Sequence, residues 1–482
     1  MTEFMTGPYL GVIVDSVKDA IPKVVDRENA YWLYQGELPS FRSFFRNAVV
    51  GTSDALSTIH PNYLLVAATM ILVFCILYIK IKYPFWNQIP ALHVYDWHRR
   101  MLYPEKPYII HLLPKKTKYY ESKFVETLKF SEMKFEQKTE LAKLLQNHYL
   151  ASDRVFCSIQ VPDLTAQFAY SLVSIYCAVE ENISLNLENG HETQQLLVDR
   201  QIVNRIIKGF VSSRRINIAI SLGKLNERYI VHDPACFIDY LCFDRTNVSN
   251  DRIRNLFHTH EYNKRCILPD RNITLFKKEV ELCDALVPLV EYESLSFYLR
   301  YRIEPSPFPS NFQVIRIQRE HLQYLHDWME RVVSLKSDIG FRVSLAIEIG
   351  DLIHLLQTNQ MFAYALRGPD TIFALYFFRN AHMKYEDLDG GDTLHATTAF
   401  CNTNNFDVYF QGFLHSLREA RKDFTGTETK MLMIDDIGHL RGIVRRWITT
   451  HDVVLKTKCA YYFCNYVLPR SPYKPEEVNI LL

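Results

Sequence analysis

From residue 135 onward the sequence alternates between two hydrophobic spacings, and that alternation limits the chain to mixed α/β folds. TELAKLLQNHYL sets Leu141, Leu144, Leu145 and Tyr149 on one helical face, at the three- to four-residue interval a helix requires. VDRQIVNRIIKGFV repeats the interval with Ile202, Ile206 and Phe210 and predicts a second helix. Between and after these lie short runs rich in β-branched and aromatic residues, SLVSIYCAV, INIAISL and TIFALYFF, which read as strands. Helices interleaved with strands imply a sheet with helices packed on it. The Pro- and Ser-rich PSPFPSN at 305–311 marks a boundary between two halves, which show no repeat at the level of sequence.

One segment has a different character. YLLVAATMILVFCILYI, Tyr63 to Ile79, carries no charge and runs straight into Lys80 and Lys82. A run of this length is at the short end of what spans a bilayer, and it also suits a helix buried in a core. It lies behind the charged stretch KDAIPKVVDREN, too far from the start for a cleaved signal peptide. Arg42 and Arg46 before it, against Lys80, Lys82, Arg99 and Arg100 after it, favour a single-pass arrangement with the C-terminal part in the cytoplasm.

Charge excludes one class of partner. The 55 Lys and Arg residues nearly cancel the 54 Asp and Glu residues, so no overall field draws in a nucleic-acid backbone. The ten cysteines are scattered through apolar runs with no CxxC pair, the pattern of buried thiols rather than a disulfide framework. His258, His260 and Glu261 could contribute metal ligands, but no second cluster completes a set, so a structural role is expected and no metal.

The sequence closes on VNILL. Chain ends usually fray in water, so Val478, Ile480, Leu481 and Leu482 indicate a tail drawn into the fold.

Four segments together resemble the N-myristoyltransferases, acyltransferases built from two fused GNAT-type α/β halves that move a myristoyl group from CoA to an N-terminal glycine. Tyr461, Tyr462, Asn465 and Tyr466 match the family's Tyr-Tyr-x-x-Asn-aromatic strand ahead of an apolar end. Tyr83, Phe85, Trp86 and Pro90 in YPFWNQIP are similar to its opening motif, ELAKLLQNHYL to the helix before its peptide-binding loop, and DPACFIDYLCFDRTNVSNDRIRNL to its mid-chain segment. With gaps, the resemblance runs from 83 to 482.

The resemblance implies two GNAT-like halves with mixed sheets, 83–310 on the acyl-CoA side and 311–482 on the peptide side. An N-terminal segment (1–62) and a transmembrane helix (63–82) precede them. It implies myristoyl-CoA as co-substrate, held in part by Tyr83, Phe85 and Trp86, no bound cofactor, and a peptide with an N-terminal glycine as partner. The family's base is its C-terminal carboxylate, which assigns that role to Leu482; a carboxylate in an apolar site becomes a stronger base because burial disfavours its charged form. Its oxyanion hole is a pair of consecutive backbone amides, aligned here with Leu185 and Asn186. Its peptide-groove positions fall on Phe156, Tyr376, Phe400, Asn402 and Asp435. Read without the family, VNILL is a last strand docked on the sheet and the aromatic residues are core.

The sequence also departs from the family. Where a basic loop holds the CoA phosphates, ENGHETQQLL (188–197) has no Lys or Arg. The peptide-binding loop keeps only Phe156 in FCSIQ, and the glycine-rich stretch before the Tyr-Tyr strand reads VVLKTK, with neither glycine nor acid. Three readings follow: an active membrane-anchored acyltransferase, an inactive relative serving as a binding scaffold for a protein partner or lipid, and an unrelated membrane-anchored structural protein. The order of the four segments weighs against the third.

Overall fold

The computed structural model describes residues 61–96, 106–149, 155–180 and 204–482, apart from short segments at 223–228, 248, 300–304, 309–310, 334, 336–339, 370, 386–390, 404, 425–428 and 469. The chain divides into two compact units, one spanning residues 5–87 and the other beginning at Gln88.

In the first unit the apolar run forms helix α1 (Pro61–Lys82), with Met70, Phe74 and Ile81 exposed on it. Among the described residues no helix is long and apolar enough to cross a membrane. A membrane span over 63–82 is thus not supported by the described residues, which form an apolar helix with exposed side chains. Arg42, Arg46, Arg99 and Arg100, on which the orientation rests, lie outside the described residues.

The second unit is built on one mixed sheet of fifteen strands, beside a two-stranded ribbon. In chain order the strands are β1 (Tyr108–Ile109), β2 (Val125–Lys129), β3 (Val155–Cys157), β4 (Leu172–Glu180), β5 (Asn204–Leu222), β6 (Tyr229–Phe243), β7 (Ile273–Glu279) and β8 (Val290–Tyr298). Beyond residue 310 follow β9 (Gln313–Arg316), β10 (Val343–Ile347), β11 (Met361–Arg367), β12 (Ile372–Tyr385), β13 (Asp392–Cys401), β14 (Thr429–Asp435), β15 (Val453–Cys464), β16 (Tyr466–Val467) and β17 (Val478–Leu481). The sheet's main path is β17-β10-β5-β6-β7-β15-β8-β14-β13-β12-β11-β9. Strands from the two sides of residue 310 are thus interleaved. β15 lies between β7 and β8, and β10 and β17 extend the edge that begins at β5.

The long strand β5 holds this arrangement together. It pairs with β6 along one side, while its other side is shared, Asn204–Ser213 with β4 and Ile216–Ile220 with β10. This overturns the helix expected over 198–211: from Asn204 the chain is strand, and 198–203 lies outside the described residues. Ile206, Ile207 and Val211 are β-branched, and two flanking strands supply backbone partners that helical spacing cannot foresee. Gly209 is required here, since a Cβ would meet the Phe243 ring at 2.5 Å. The other expectations hold: SLVSIYCAV becomes β4, INIAISL the end of β5, and TIFALYFF the start of β12.

Helix α2 (Phe135–His148) buries Leu141, Leu144 and Leu145 as the spacing predicts. Helix α3 (Val161–Gln167) follows it, and α4 (Asn250–Ile267) is capped by Ser249, whose side chain accepts from the Arg252 amide. On α4, His260 is buried between two hydroxyls, 2.8 Å from Ser174 Oγ and 2.9 Å from Ser213 Oγ. His382, at the end of β12, is 2.8 Å from Gln167 of α3.

Burial pushes His260 down to about 3 and His382 down to about 4, so both are neutral in the fold. An unfolded histidine binds its proton near pH 6.5. As pH falls through that value the unfolded chain takes up protons that the fold refuses, and stability declines until the folded values are reached. Between pH 7 and pH 5 each of these histidines is expected to cost about 2 kcal/mol, seen as a falling urea midpoint. His260→Asn should flatten that dependence by its share.

Candidate functional site

Strand β17 runs parallel to β10, with Val478 opposite Val343, Ile480 opposite Leu345 and Leu481 opposite Ala346. All four of its residues are buried, as a strand covered on both faces demands. The polar exception, Asn479, is satisfied on both sides: it donates to Ser344 Oγ of β10 and accepts from Thr398 Oγ1 of β13, each at 3.1 Å. The strand carries the last residue, Leu482, into a cavity of about 130 Å³. One water needs roughly 10–15 Å³ measured this way, so a small chemical group fits. Pairing of β12 with β13 lapses between Asn380 and Lys384, and Asn380, Ala381 and Met383 line the cavity there.

Ionisable groups from β7, β8, β12, β13, β14 and β15, and the end of β17, converge on this space. Arg379 of β12 donates from Nη1 to an oxygen of the Leu482 main-chain carboxylate at 3.4 Å and from Nε to His395 Nδ1 at 3.3 Å. The second bond fixes the His395 tautomer, since Nδ1 must accept. The other ring nitrogen, Nε2, lies 3.2 Å from Asp435 Oδ2 of β14, near but off the line of a good hydrogen bond. Burial holds His395 below the usual histidine range, partly offset by Asp435. Burial would raise the Asp435 carboxyl, but the charge of Lys277 and the proximity of His395 outweigh it and hold the carboxyl well below the usual range. On β7, Lys277 and Glu279 pair at 2.6 Å; Lys277 lowers the Glu279 carboxyl, and Glu279 keeps Lys277 charged against its own burial. Tyr461 of β15 stacks on Tyr292 at 5.8 Å, and burial raises its phenol to about 12.

Lys277 and Glu279 cancel each other, and Arg379 faces one carboxylate. Asp435 keeps a buried Oδ1 without an aligned hydrogen-bond partner among the described residues, with the Ser294 hydroxyl of β8 beside its carboxylate helping to hold that carboxyl low. The cavity therefore has acceptor capacity to spare and suits a donor-rich cationic group better than an anion.

Of the residues singled out in the sequence, Leu482 and Asp435 meet at this cavity. Tyr376 is in the core, its hydroxyl donating to the Tyr409 carbonyl at 2.7 Å, and Phe400 is buried against Phe341 and Phe377. Phe156 is 40% exposed on β3, and Asn402 is exposed after β13. Tyr83, Phe85 and Trp86 belong to the first unit, where Phe85 and Trp86 pack edge to face at 5.0 Å. Leu185, Asn186 and ENGHETQQLL lie outside the described residues. Sequence reasoning passed over Arg379, His395, Lys277 and Glu279. Lys277 and Glu279 carried a legible signal, since two residues apart on a strand places both on one face.

The Tyr-Tyr-x-x-Asn motif has a structural explanation. Asn465 is fully buried with φ +63°, a conformation asparagine tolerates better than most residues. Its Oδ1 accepts from the His111 amide at 2.8 Å, and its Nδ2 donates to the carbonyls of His111 and Asn272 at 2.9 Å each. Tyr462 OH accepts from the Cys283 amide at 2.9 Å, and Tyr466 OH donates to Asp233.

A mixed sheet of interleaved strands that delivers the final residue to a central cavity defines the fold class. No protein-family model and no curated protein sequence matches the chain. Among solved structures, one of Saccharomyces cerevisiae N-myristoyltransferase with bound myristoyl-CoA aligns over 83% of this chain and 94% of its own, with TM-score 0.56 and 10% identity. Another of the same enzyme, with bound myristoyl-CoA and inhibitors, aligns over 82% and 93%, with TM-score 0.57 and 9% identity. The chain has the N-myristoyltransferase fold in a divergent sequence.

Arg379 holds His395 and the terminal carboxylate at once, so Arg379→Met should lower unfolding free energy on the order of 2–3 kcal/mol in urea titrations by leaving both acceptors unmet. Arg379→Lys should recover only part, because an ammonium lacks the planar fork that reaches two partners.

Proposed function

We propose that the chain is a divergent member of the N-myristoyltransferase family that transfers an acyl group from myristoyl-CoA to the N-terminal glycine of a peptide. The observation that carries this reading is the Leu482 carboxylate beside Arg379 at a cavity that Asp435 also lines. In the proposed step the terminal carboxylate takes a proton from the glycine ammonium. The freed amine attacks the thioester carbonyl, the carbon–sulfur bond breaks, and CoA leaves as its thiol with the amide formed. Asp435 supplies a second acceptor to hold the ammonium beforehand. The amides of Leu185 and Asn186 take the oxyanion, Tyr83, Phe85 and Trp86 contribute to the acyl-CoA site, and Phe156, Tyr376, Phe400 and Asn402 belong to the peptide side.

A second reading is favoured by one observation. ENGHETQQLL offers no cation to the CoA phosphates, which suits a scaffold that keeps the fold and binds a partner without turnover.

One residue added to the end separates the two readings. The chain ending at Leu482 and the same chain with an extra Gly are compared for acyl transfer from myristoyl-CoA to a glycine peptide and for thermal unfolding. The proposal expects transfer by the first and a loss of roughly 10²-fold or more in the second. Equal, measurable transfer by both would eliminate the carboxylate as base. No transfer by either, with both folded, would favour the scaffold.

We also propose that α1 attaches the protein to a membrane, with the second unit on the cytoplasmic side. The uncharged run Tyr63–Ile79 and its exposed apolar side chains support this. Full-length protein should then stay with the membrane pellet in alkaline carbonate, and its release into the supernatant would reduce α1 to a surface helix.

A further inference from the structure

The loop 111–123 combines two features that a soluble surface normally keeps apart. Leu112 and Leu113 are adjacent and 72% and 80% exposed. Directly after them come Lys115, Lys116 and Lys118, with Lys123 a few residues on, all exposed. Among the described residues none of these four lysines lies within ion-pair distance of a carboxylate. Three of them instead rest over aromatic rings: Lys116 at 4.4 Å from Tyr120 and 5.4 Å from Tyr262, Lys118 at 5.0 Å from Tyr119, and Lys123 at 5.1 Å from Phe124. The one acid in the loop, Glu121, accepts from the Lys123 amide at 3.0 Å.

The loop is held firmly at its base. His111 is clamped by Asn465 through both its amide and its carbonyl, and Arg265 also donates to that carbonyl. The Glu121 amide donates to Thr259 Oγ1 at 2.8 Å. The leucines are thus presented on a fixed platform.

We propose that this loop docks the protein on a membrane surface rich in anionic lipid, with Leu112 and Leu113 entering the acyl boundary and Lys115, Lys116 and Lys118 meeting the headgroups. Charge complementarity identifies the occupant, since a cluster of lysines with no carboxylate partner among the described residues seeks negative charge. The layering selects a membrane over an acidic protein. Two projecting leucines match a hydrocarbon layer just beneath an anionic one, and lysine is a point charge suited to mobile headgroups, whereas arginine would provide bidentate recognition of fixed carboxylates. The inference rests neither on acyl transfer nor on α1.

A probe on the loop keeps it distinct from any attachment through α1. A polarity-sensitive fluorophore is placed on Leu113→Cys in the full chain, with Cys75→Ser and Cys266→Ser to remove the two exposed thiols. Vesicles of phosphatidylcholine alone are compared with vesicles that also contain phosphatidylserine, at low and high salt. The expected result is a blue shift on the anionic vesicles that fades with salt. Lys115→Ala, Lys116→Ala and Lys118→Ala should each weaken the partitioning about fivefold. No shift on anionic vesicles, an equal shift on neutral ones, or an equal shift with soluble polyglutamate would overturn the proposal, the last in favour of an acidic polypeptide.

Discussion

The parallel pairing of β17 with β10, pinned by Asn479, is the interaction on which the centre of this molecule depends. A parallel edge strand has no hairpin to hold it and must be retained by its side chains and ladder alone. Asn479 meets that need by joining Ser344 on one neighbour to Thr398 on another, so β17 is bound to both β10 and β13. With three apolar neighbours fully covered, the strand has nowhere to slip: a shift of one residue would bury nothing that matches and expose Asn479's partners. The position of Leu482 follows from that register.

Around the end of this strand the charges are arranged so that few are idle. Lys277 with Glu279 and Arg379 with the terminal carboxylate are close pairs, and His395 sits between Arg379 and Asp435 as a neutral ring. Leaving a charge uncompensated in such a place would cost several kcal/mol. Against that background, an Asp435 oxygen without an aligned partner is an exception of the kind found where a ligand completes the set.

The sequence carried the coarse architecture because burial writes itself as spacing. Leu141, Leu144 and Leu145 could face the core only on a helix, and SLVSIYCAV could be covered on both faces only as a strand. The failure at 198–211 is equally physical. Ile206 and Phe210 obey a helical interval, yet β5 is fixed by partners at residues 172–180 and 229–243 that no local pattern contains. The cavity was legible at its apolar end, in VNILL, at Asp435, and at Tyr149 and Tyr461, which the helical spacing and the Tyr-Tyr motif single out. Arg379 and His395 look like surface residues in the sequence because nothing local reveals that two distant strands fold over them. The fold itself persists at about 10% identity because a sheet constrains polarity and volume far more than residue names. Asn465, which must combine a left-handed backbone with an acceptor and a two-armed donor, is among the few places where a name matters.

The interleaving of strands bears on how the protein is made. A chain of two separable halves could complete its first half while the second was still on the ribosome. Here β7 and β8 are joined through β15, and the Ile216–Ile220 part of β5, which β4 leaves uncovered, is paired by β10 with β17 beyond it, so these earlier residues wait with unpaired backbone for strands that are synthesised late. During that interval the nascent sheet offers open edges to any neighbouring chain. Production of this protein should therefore be unusually dependent on whatever shields nascent strands in the cell, a demand set by topology and independent of how stable the finished molecule is.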